Sequence, residues 1–477
     1  MNKFSVAALS GLILLQACQP VTDNTTDDKA GQPQAAMPEG LSVQQQADVP
    51  EQLPAEHYLL TSKTPYQPQQ QWQQYSQPPA GFNTVSVQHV ARHGSRFLSS
   101  RGDDDLMLQL LQLAGSEQAL TPLGQELAQL IERLHQAHQP DKYGEISGSG
   151  VQEHQQMAAR LFERQPEVFA LAVAQQQRIA VLHSGRERAD QSGDAFISGL
   201  TTLKPELSNL IDPARADEAT LYFYKAEGSE AFERYRKSDP RLQAVMQQLE
   251  SQPKLQQAAT AMLQPFFTPA FITRLENGEF ELTLVDDDDA IRNVLDAANV
   301  LYSLYSIASN LAAEGDFDFS RFLQAEQLLP LAELDDADSF YGRGPAFAGD
   351  DVTYNLAGRL VADMLAKAEQ PNGYVATFRF THAQVMMPLA AYLGITGASE
   401  PLPESVTYSY QTSNWRSGKV SPMAANVQWE VFRNTEGTVL IRMLHNEQET
   451  RFNSACQPYA DTQYFYTTAE LKGCLLH

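Results

Sequence analysis

The chain has 477 residues, 43% of them hydrophobic, which suits one large domain or two linked ones and excludes a disordered or fibrous chain. Asp and Glu number 58 against 34 Lys and Arg, for a net charge of −24. Phosphate backbones are repelled by so acidic a chain, which argues against general nucleic-acid binding and leaves small anions to places where basic residues gather.

In chain order, residues 1–17 read as an export signal. Lys3 precedes a short apolar run, Val6 to Leu15, that is too short to cross a bilayer. The segment ends in Leu15-Gln16-Ala17-Cys18, which resembles a bacterial lipobox. Cleavage before Cys18 and acylation of that cysteine are expected, with ordinary cleavage near Ala17 as the alternative. A Gln follows Cys18 rather than Asp, a pattern similar to lipoproteins sorted to the outer membrane, so the expected location is the bacterial envelope. Residues 18–55 are rich in Gln, Pro, Asp and Thr and read as a disordered tether. Residues 56–80 add Tyr58, Tyr66, Trp72 and Tyr75 and read as an irregular arm along the domain surface.

An α/β pattern follows. Thr84–Val90 alternates as a strand, 119–137 and 150–174 have helical spacing, 177–183 is a short apolar strand, and 188–200 is helical again. Residues 205–345 have mostly helical spacing and read as an inserted cap. The α/β pattern returns with a helix over 352–368, a strand over Tyr374–Phe380 and a helix over 385–393. Strand-like segments follow at 405–410, 425–433 and 438–444. The expected organisation is an α/β domain over 56–204 and 346–477, interrupted by the α-helical cap at 205–345. The runs Asp103–Asp105 and Asp286–Asp289 read as solvated surface loops, without EF-hand spacing. Once Cys18 is acylated, Cys456 and Cys474 remain, and an oxidising compartment makes them an expected disulfide.

The segment with the clearest chemistry is Val90-Ala91-Arg92-His93-Gly94-Ser95-Arg96. It places a histidine and two arginines on a glycine turn just after a strand, where α/β sheets bind ligands. Guanidinium forks match phosphate oxygens and stay charged. An imidazole among them can attack phosphorus if its other nitrogen is held.

These residues resemble the motif of the histidine acid phosphatases, branch 2. The match extends to His183-Ser184-Gly185-Arg186-Glu187-Arg188, with Arg188 the better fit for a third phosphate arginine and Arg186 the alternative. It extends also to His382-Ala383 after the late strand. Glu153, Met157-Ala158, Arg160-Leu161, Tyr341-Gly342-Arg343-Gly344-Pro345, Ala424-Ala425-Asn426 and Val439–Glu447 narrow the likeness to the multiple inositol polyphosphate phosphatases. The resemblance covers most of 83–474. It implies a histidine-phosphatase-like α/β sandwich with a central mixed sheet and a helical cap. It implies His93 as nucleophile and Arg92, Arg96, Arg188 and His382 around the phosphate; Arg343 reads either as a substrate contact from the cap or as a surface salt bridge. It also implies a phosphorylated small molecule such as phytate as substrate, and no cofactor or metal.

Two positions depart from the pattern: Leu98 stands where many acid phosphatases have a Pro that mainly shapes the turn, and position 384 carries the departure that bears on chemistry. Gln384 stands where this branch has Glu, the acid that protonates the leaving group. An amide cannot supply that proton. Three readings follow: another acid (Asp103, Asp104, Asp105 or Asp190), a preference for good leaving groups such as phosphoanhydrides or aryl phosphates, or a weak or inactive protein that binds phosphorylated ligands. A broad-specificity acid phosphatase is the alternative substrate reading. His57, His135, His138, His154, His445 and His477 show no metal-ligand spacing, and His89 reads as core or as support for the site.

Overall fold

A computed structural model describes residues 59–138, 141–284 and 289–476. The export signal, Cys18, the tether at 18–55, His57, Asp286–Asp288 and His477 lie outside the described residues.

Among the described residues, ten strands follow in chain order: β1 (Asn83–Arg92), β2 (Arg178–His183), β3 (Arg215–Ala216), β4 (Leu282–Thr283), β5 (Ala290–Ile291), β6 (Tyr374–Thr381), β7 (Asn426–Arg433), β8 (Val439–His445), β9 (Gln448–Thr450) and β10 (Phe465–Thr467). β4 and β5 form a separate small ribbon. The others make one sheet in the order β10-β8-β7-β1-β6-β2-β3, with β9 beside β8. β1, β6, β2 and β3 run parallel, while β7 is antiparallel to β1 and to β8. The sheet is therefore mixed. β1 lies between β6 and β7 and is buried without a break from Ser86 to Arg92, as a central strand covered on both faces must be.

Alternation along β1 sends Val87, His89 and Ala91 to one face and Gln88 and Val90 to the other. The first face packs on helices Gly148–Arg164, Pro166–Gln175 and Glu187–Leu203 through Met157, Leu161, Phe169 and Phe196. The second packs on helices Gly358–Glu369 and Ala383–Tyr392 through Leu360, Met364, Met386 and Leu389. A separate apolar core joins helices Gly102–Ser116 and Pro122–His138 to Pro253–Leu263, Val294–Ala308 and Ala325–Arg343.

Several local expectations change. The helix expected over 150–174 is two helices, because Pro166 lacks the N–H needed to continue the first and starts the second. The helix expected from 352 begins at Gly358, after a 3-10 turn at Asn355–Ala357. Residues 405–410 are not a strand; Tyr408 instead packs as a buried ring against Phe340. Asp103–Asp105 are not a solvated loop. They form the first turn of helix Gly102–Ser116, where carboxylates face the positive end of the helix dipole. The arm is not confined to the surface, since Leu59, Thr61, Thr64, Tyr66 and Tyr75 are all buried.

Candidate active site

Parallel pairing assembles the site. Register sets Arg92 opposite Thr381 in β1 and β6, and His183 opposite Phe380 in β2 and β6. The residues that leave these strands, His93, His382 and Ser184, therefore emerge together. The His93 N–H donates to the Thr381 carbonyl at 2.8 Å, and the His93 and His382 rings lie 5.4 Å apart.

The loop after β1 is held from below. The Gly94 N–H donates to Ser192 Oγ at 3.1 Å. Glu153, buried in helix Gly148–Arg164, accepts the Ser95 N–H and Ser95 Oγ–H, both at 2.7 Å. The approach is close enough to demand glycine on both sides. A Cβ on Gly94 would lie 2.7 Å from Gly150 Cα, and one on Gly150 would lie 2.1 Å from the Ser95 carbonyl oxygen.

Hydrogen bonding sets the tautomer of His93. His93 Nδ1 lies 3.0 Å from the Gly94 carbonyl oxygen, which only accepts, so Nδ1 carries the proton. The lone pair is left on Nε2, which has no hydrogen-bond partner among the described residues. Burial, followed by the charges of Arg188, Arg92, His382 and Arg96, holds the His93 pKa well below its ordinary value. The ring is therefore neutral and nucleophilic. His382 is depressed in the same way, by burial and then by Arg188, Arg92, Arg186 and Arg96. Its Nε2 lies 2.8 Å from Ser184 Oγ.

Arg92, Arg96 and Arg188 converge on the two histidines. Arg92 donates to the Ser62 and Ser421 carbonyls, which fixes its guanidinium. Burial, then the Arg188 charge, lowers Arg92 and Arg96 each to about 9. Buried like charges gathered in this way suit an anion. Arg188 belongs to this cluster, whereas Arg186 is exposed and lies over the Tyr222 ring at 4.7 Å. Arg343, at the end of helix Ala325–Arg343, reaches Asp338 at 3.4 Å and adds its charge to Arg92.

The acids considered for proton transfer separate clearly. Asp104 is wholly buried and engaged by His138 Nδ1 at 2.7 Å and the Tyr143 hydroxyl at 2.8 Å. Asp105 pairs with Arg101 at 2.6 Å. Asp190 is 45% exposed and lies 3.8 Å from His183 Nε2. Asp103 instead acts on Arg96 and takes the Ser303 hydroxyl at 2.6 Å, and burial pushes its carboxyl up to about 6. Gln384 is half-buried in the first turn of helix Ala383–Tyr392 and makes no hydrogen bond among the described residues.

The remaining histidines go elsewhere. His89 stacks on Phe196 at 5.1 Å in the core, and His154 meets Phe380 edge-on. His138 and His135 sit beside Asp104, and His445 Nε2 meets the Val420 carbonyl at 2.9 Å. Among the described residues no cluster of His, Cys, Asp or Glu is arranged to hold a metal ion. Sequence reasoning missed Ser184, Ser192, Asn310 and the Ser62 and Ser421 carbonyls. Ser184 lies inside the matched His183–Arg188 motif, which could have marked it; the others act through contacts that only the fold creates.

Comparison with known proteins places this geometry. The family described as the histidine phosphatase superfamily (branch 2) matches residues 85–446. Multiple inositol polyphosphate phosphatase 1 of Gallus gallus is 22% identical over 414 residues, spanning 82% of this chain and 83% of its own. The Bifidobacterium longum multiple inositol polyphosphate phosphatase in complex with phosphate is 30% identical, with TM-score 0.83, over 88% of this chain and 97% of its own. The same enzyme in complex with inositol hexasulfate is 29% identical, with TM-score 0.82, over the same shares. The chain belongs to branch 2 of the histidine phosphatase superfamily and is a homologue of the multiple inositol polyphosphate phosphatases.

Proposed function

We infer that this protein is a phosphomonoesterase that works through a phosphohistidine, with inositol polyphosphates such as phytate as its substrates. The observation that carries this reading is a neutral histidine with an unengaged Nε2 beside three converging arginines. His93 Nε2 attacks phosphorus in line, and the ester P–O bond breaks as the P–N bond forms. Arg92, Arg96, Arg188 and His382 hold the non-bridging oxygens. Asp103 protonates the departing oxygen in place of Gln384. Water then attacks phosphorus and gives its proton to the Asp103 carboxylate, the P–N bond breaks, and phosphate leaves. Arg343 and Arg186 put further positive charge near the catalytic cluster, which suits a polyphosphorylated ring, and the inositol hexasulfate complex of the Bifidobacterium relative supports the same substrate class.

Gln384 supports a second reading: hydrolysis restricted to good leaving groups, or phospholigand binding without turnover. One experiment separates them. Phosphate release from phytate, glycerol phosphate and para-nitrophenyl phosphate is measured with the chain from residue 19 and its His93→Ala variant. Release from all three that vanishes in the variant supports the phosphomonoesterase. Release from the aryl ester alone favours the leaving-group restriction, and binding without release favours the ligand-binding protein. We further infer that Cys18 is acylated and anchors the enzyme to the bacterial envelope. A Cys18→Ser variant that still partitions into detergent would refute the anchor.

A further inference from the structure

The residues just ahead of β1 in sequence are stitched to the catalytic loop at several points. Leu59 offers its carbonyl to the Tyr302 hydroxyl at 2.8 Å. Thr61, fully buried, donates its hydroxyl to Asp335, and its own carbonyl takes the Thr64 hydroxyl at 2.8 Å. Its φ of 47° is uncommon for a β-branched residue, so surrounding contacts must hold it there. The Ser62 carbonyl accepts Arg92 Nη1. The buried Asn310 side chain donates to the Lys63 carbonyl at 2.7 Å and accepts the Arg96 N–H at 3.3 Å. The Tyr66 N–H donates at 2.9 Å to the same Glu153 that holds Ser95. On the far side, the Met423 N–H donates to the Thr64 carbonyl at 2.9 Å, and a Cβ on Gly418 would lie 2.8 Å from the Thr61 carbonyl oxygen.

Three anchors of the catalytic loop are thus shared with the arm: the Arg92 guanidinium, the Arg96 backbone and the Ser95 backbone. Asp335 extends the link, since the carboxylate that takes the Thr61 hydroxyl also acts electrostatically on Arg92 and Arg343.

We propose that Leu59–Tyr66 is a positioning element of the phosphate site, fixing the Arg92 guanidinium through the Ser62 carbonyl and the Arg92–Arg96 loop through Asn310 and Glu153. The proposal rests on the phosphatase reading above. A guanidinium with two donors committed to fixed carbonyls keeps its remaining N–H groups aimed at one oxygen position, so binding costs little reorganisation. An arm that lets go leaves Arg92 to collapse toward another acceptor.

The test compares the wild-type chain with Thr61→Val, Thr61→Ser, Asn310→Asp and Tyr302→Phe. It measures kcat and KM for para-nitrophenyl phosphate, inhibition by inorganic phosphate, and the melting temperature. Thr61→Val removes the hydroxyl and keeps the shape, while Asn310→Asp turns the donor to Lys63 into an acceptor. Each is expected to weaken inhibition by phosphate and lower kcat/KM about tenfold, the scale of one charge-linked hydrogen bond. Thr61→Ser, which keeps the hydroxyl, is expected to restore wild-type values. Tyr302→Phe loosens the arm at a distance from every phosphate group, and is expected to give a smaller loss of the same kind. Variants that melt lower yet keep wild-type kcat and phosphate inhibition would show a merely structural arm and overturn the proposal. A wild-type chain with neither hydrolysis nor phosphate inhibition would instead refute the phosphatase reading itself.

Discussion

Asp103→Asn separates catalysis from stability, because the two are expected to move in opposite directions. Burial holds the Asp103 carboxyl at about 6 against an ordinary 3.8. The Ser303 hydroxyl and Lys63 oppose that rise, and Asp289 and Asp104 add to it. An acid at that value is roughly 90% protonated at pH 5 and roughly 10% at pH 7, so alkyl-phosphate hydrolysis should decline tenfold per pH unit above 6. Asparagine removes the proton, and phytate hydrolysis at pH 5 should fall by about 10²–10⁴, while para-nitrophenyl phosphate, whose leaving group needs no proton, changes little. The raised pKa also means that the folded state binds the proton more tightly than the unfolded chain. Its effect on stability is favourable below the unfolded value of 3.8 and is lost as pH rises to about 6, a difference of about 3 kcal/mol. The substituted amide carries no charge and can still accept the Ser303 hydroxyl. At pH 7 the variant should therefore be more stable than the wild type, by up to about 3 kcal/mol. The assays are phosphate release on the two substrates from pH 4 to 8 and urea unfolding at pH 4 and 7. Unchanged phytate hydrolysis with the same decline near pH 6 would refute Asp103 as the acid, and an Asp335→Asn variant showing the loss instead would move the role there.

Two further outcomes follow from the core and the C-terminus. Glu430 is wholly buried, and although burial pushes its pKa up, Arg442 and Arg164 more than offset this and leave it at about 2. Its contribution is present above the unfolded value of 4.5 and lost as pH falls toward 2, so about 3 kcal/mol of stability should disappear over that window, as read by urea unfolding. Glu430→Gln should cost about 3 kcal/mol at neutral pH, because Arg442 and Arg164 lose the buried carboxylate they share and keep only Glu449 and Glu447 respectively. The Cys456–Cys474 bridge closes a loop with a sequence separation of 18 and ties the segment after β9 to helix Thr468–Leu475. Its removal by serine substitution should cost about 3 kcal/mol in chemical denaturation and leave kcat unchanged; a lower kcat would tie the C-terminus to the site.

The chemistry was open to reading from the chain because its key groups are local. Arg92, His93, Gly94 and Arg96 lie on one turn, and His382 and Gln384 on another, so residue type and spacing suffice to suggest phosphate chemistry. The strands that end in these turns were equally visible, since β1 alternates and β2 and β6 are short, largely apolar runs bounded by turns. The segment at 405–410 had similar alternation but no neighbour to pair with, and alternation without a partner strand makes no sheet. Pro166 did mark a helix boundary, and periodicity alone ran past it.

Tertiary structure decided whatever depends on pairs distant in sequence. Parallel register put His382 beside His93, and sorted Arg188 from Arg186 by which of them the fold turns inward. Composition suggested a solvated acidic run at Asp103–Asp105. Yet burial made Asp104 a hydrogen-bond anchor and raised the pKa of Asp103, because desolvation depends on neighbours from other helices. The arm is the sharpest case. Its polar composition gives little reason for burial, and only hydrogen bonds to helices Val294–Ala308 and Ala325–Arg343 hold Thr61 and its neighbour Leu59 inside. A chain of this composition determines which reactive groups exist and which elements present them, since both are local properties. The fold alone determines which groups meet, since charge, solvent exclusion and hydrogen-bond partners are set by contacts across the chain.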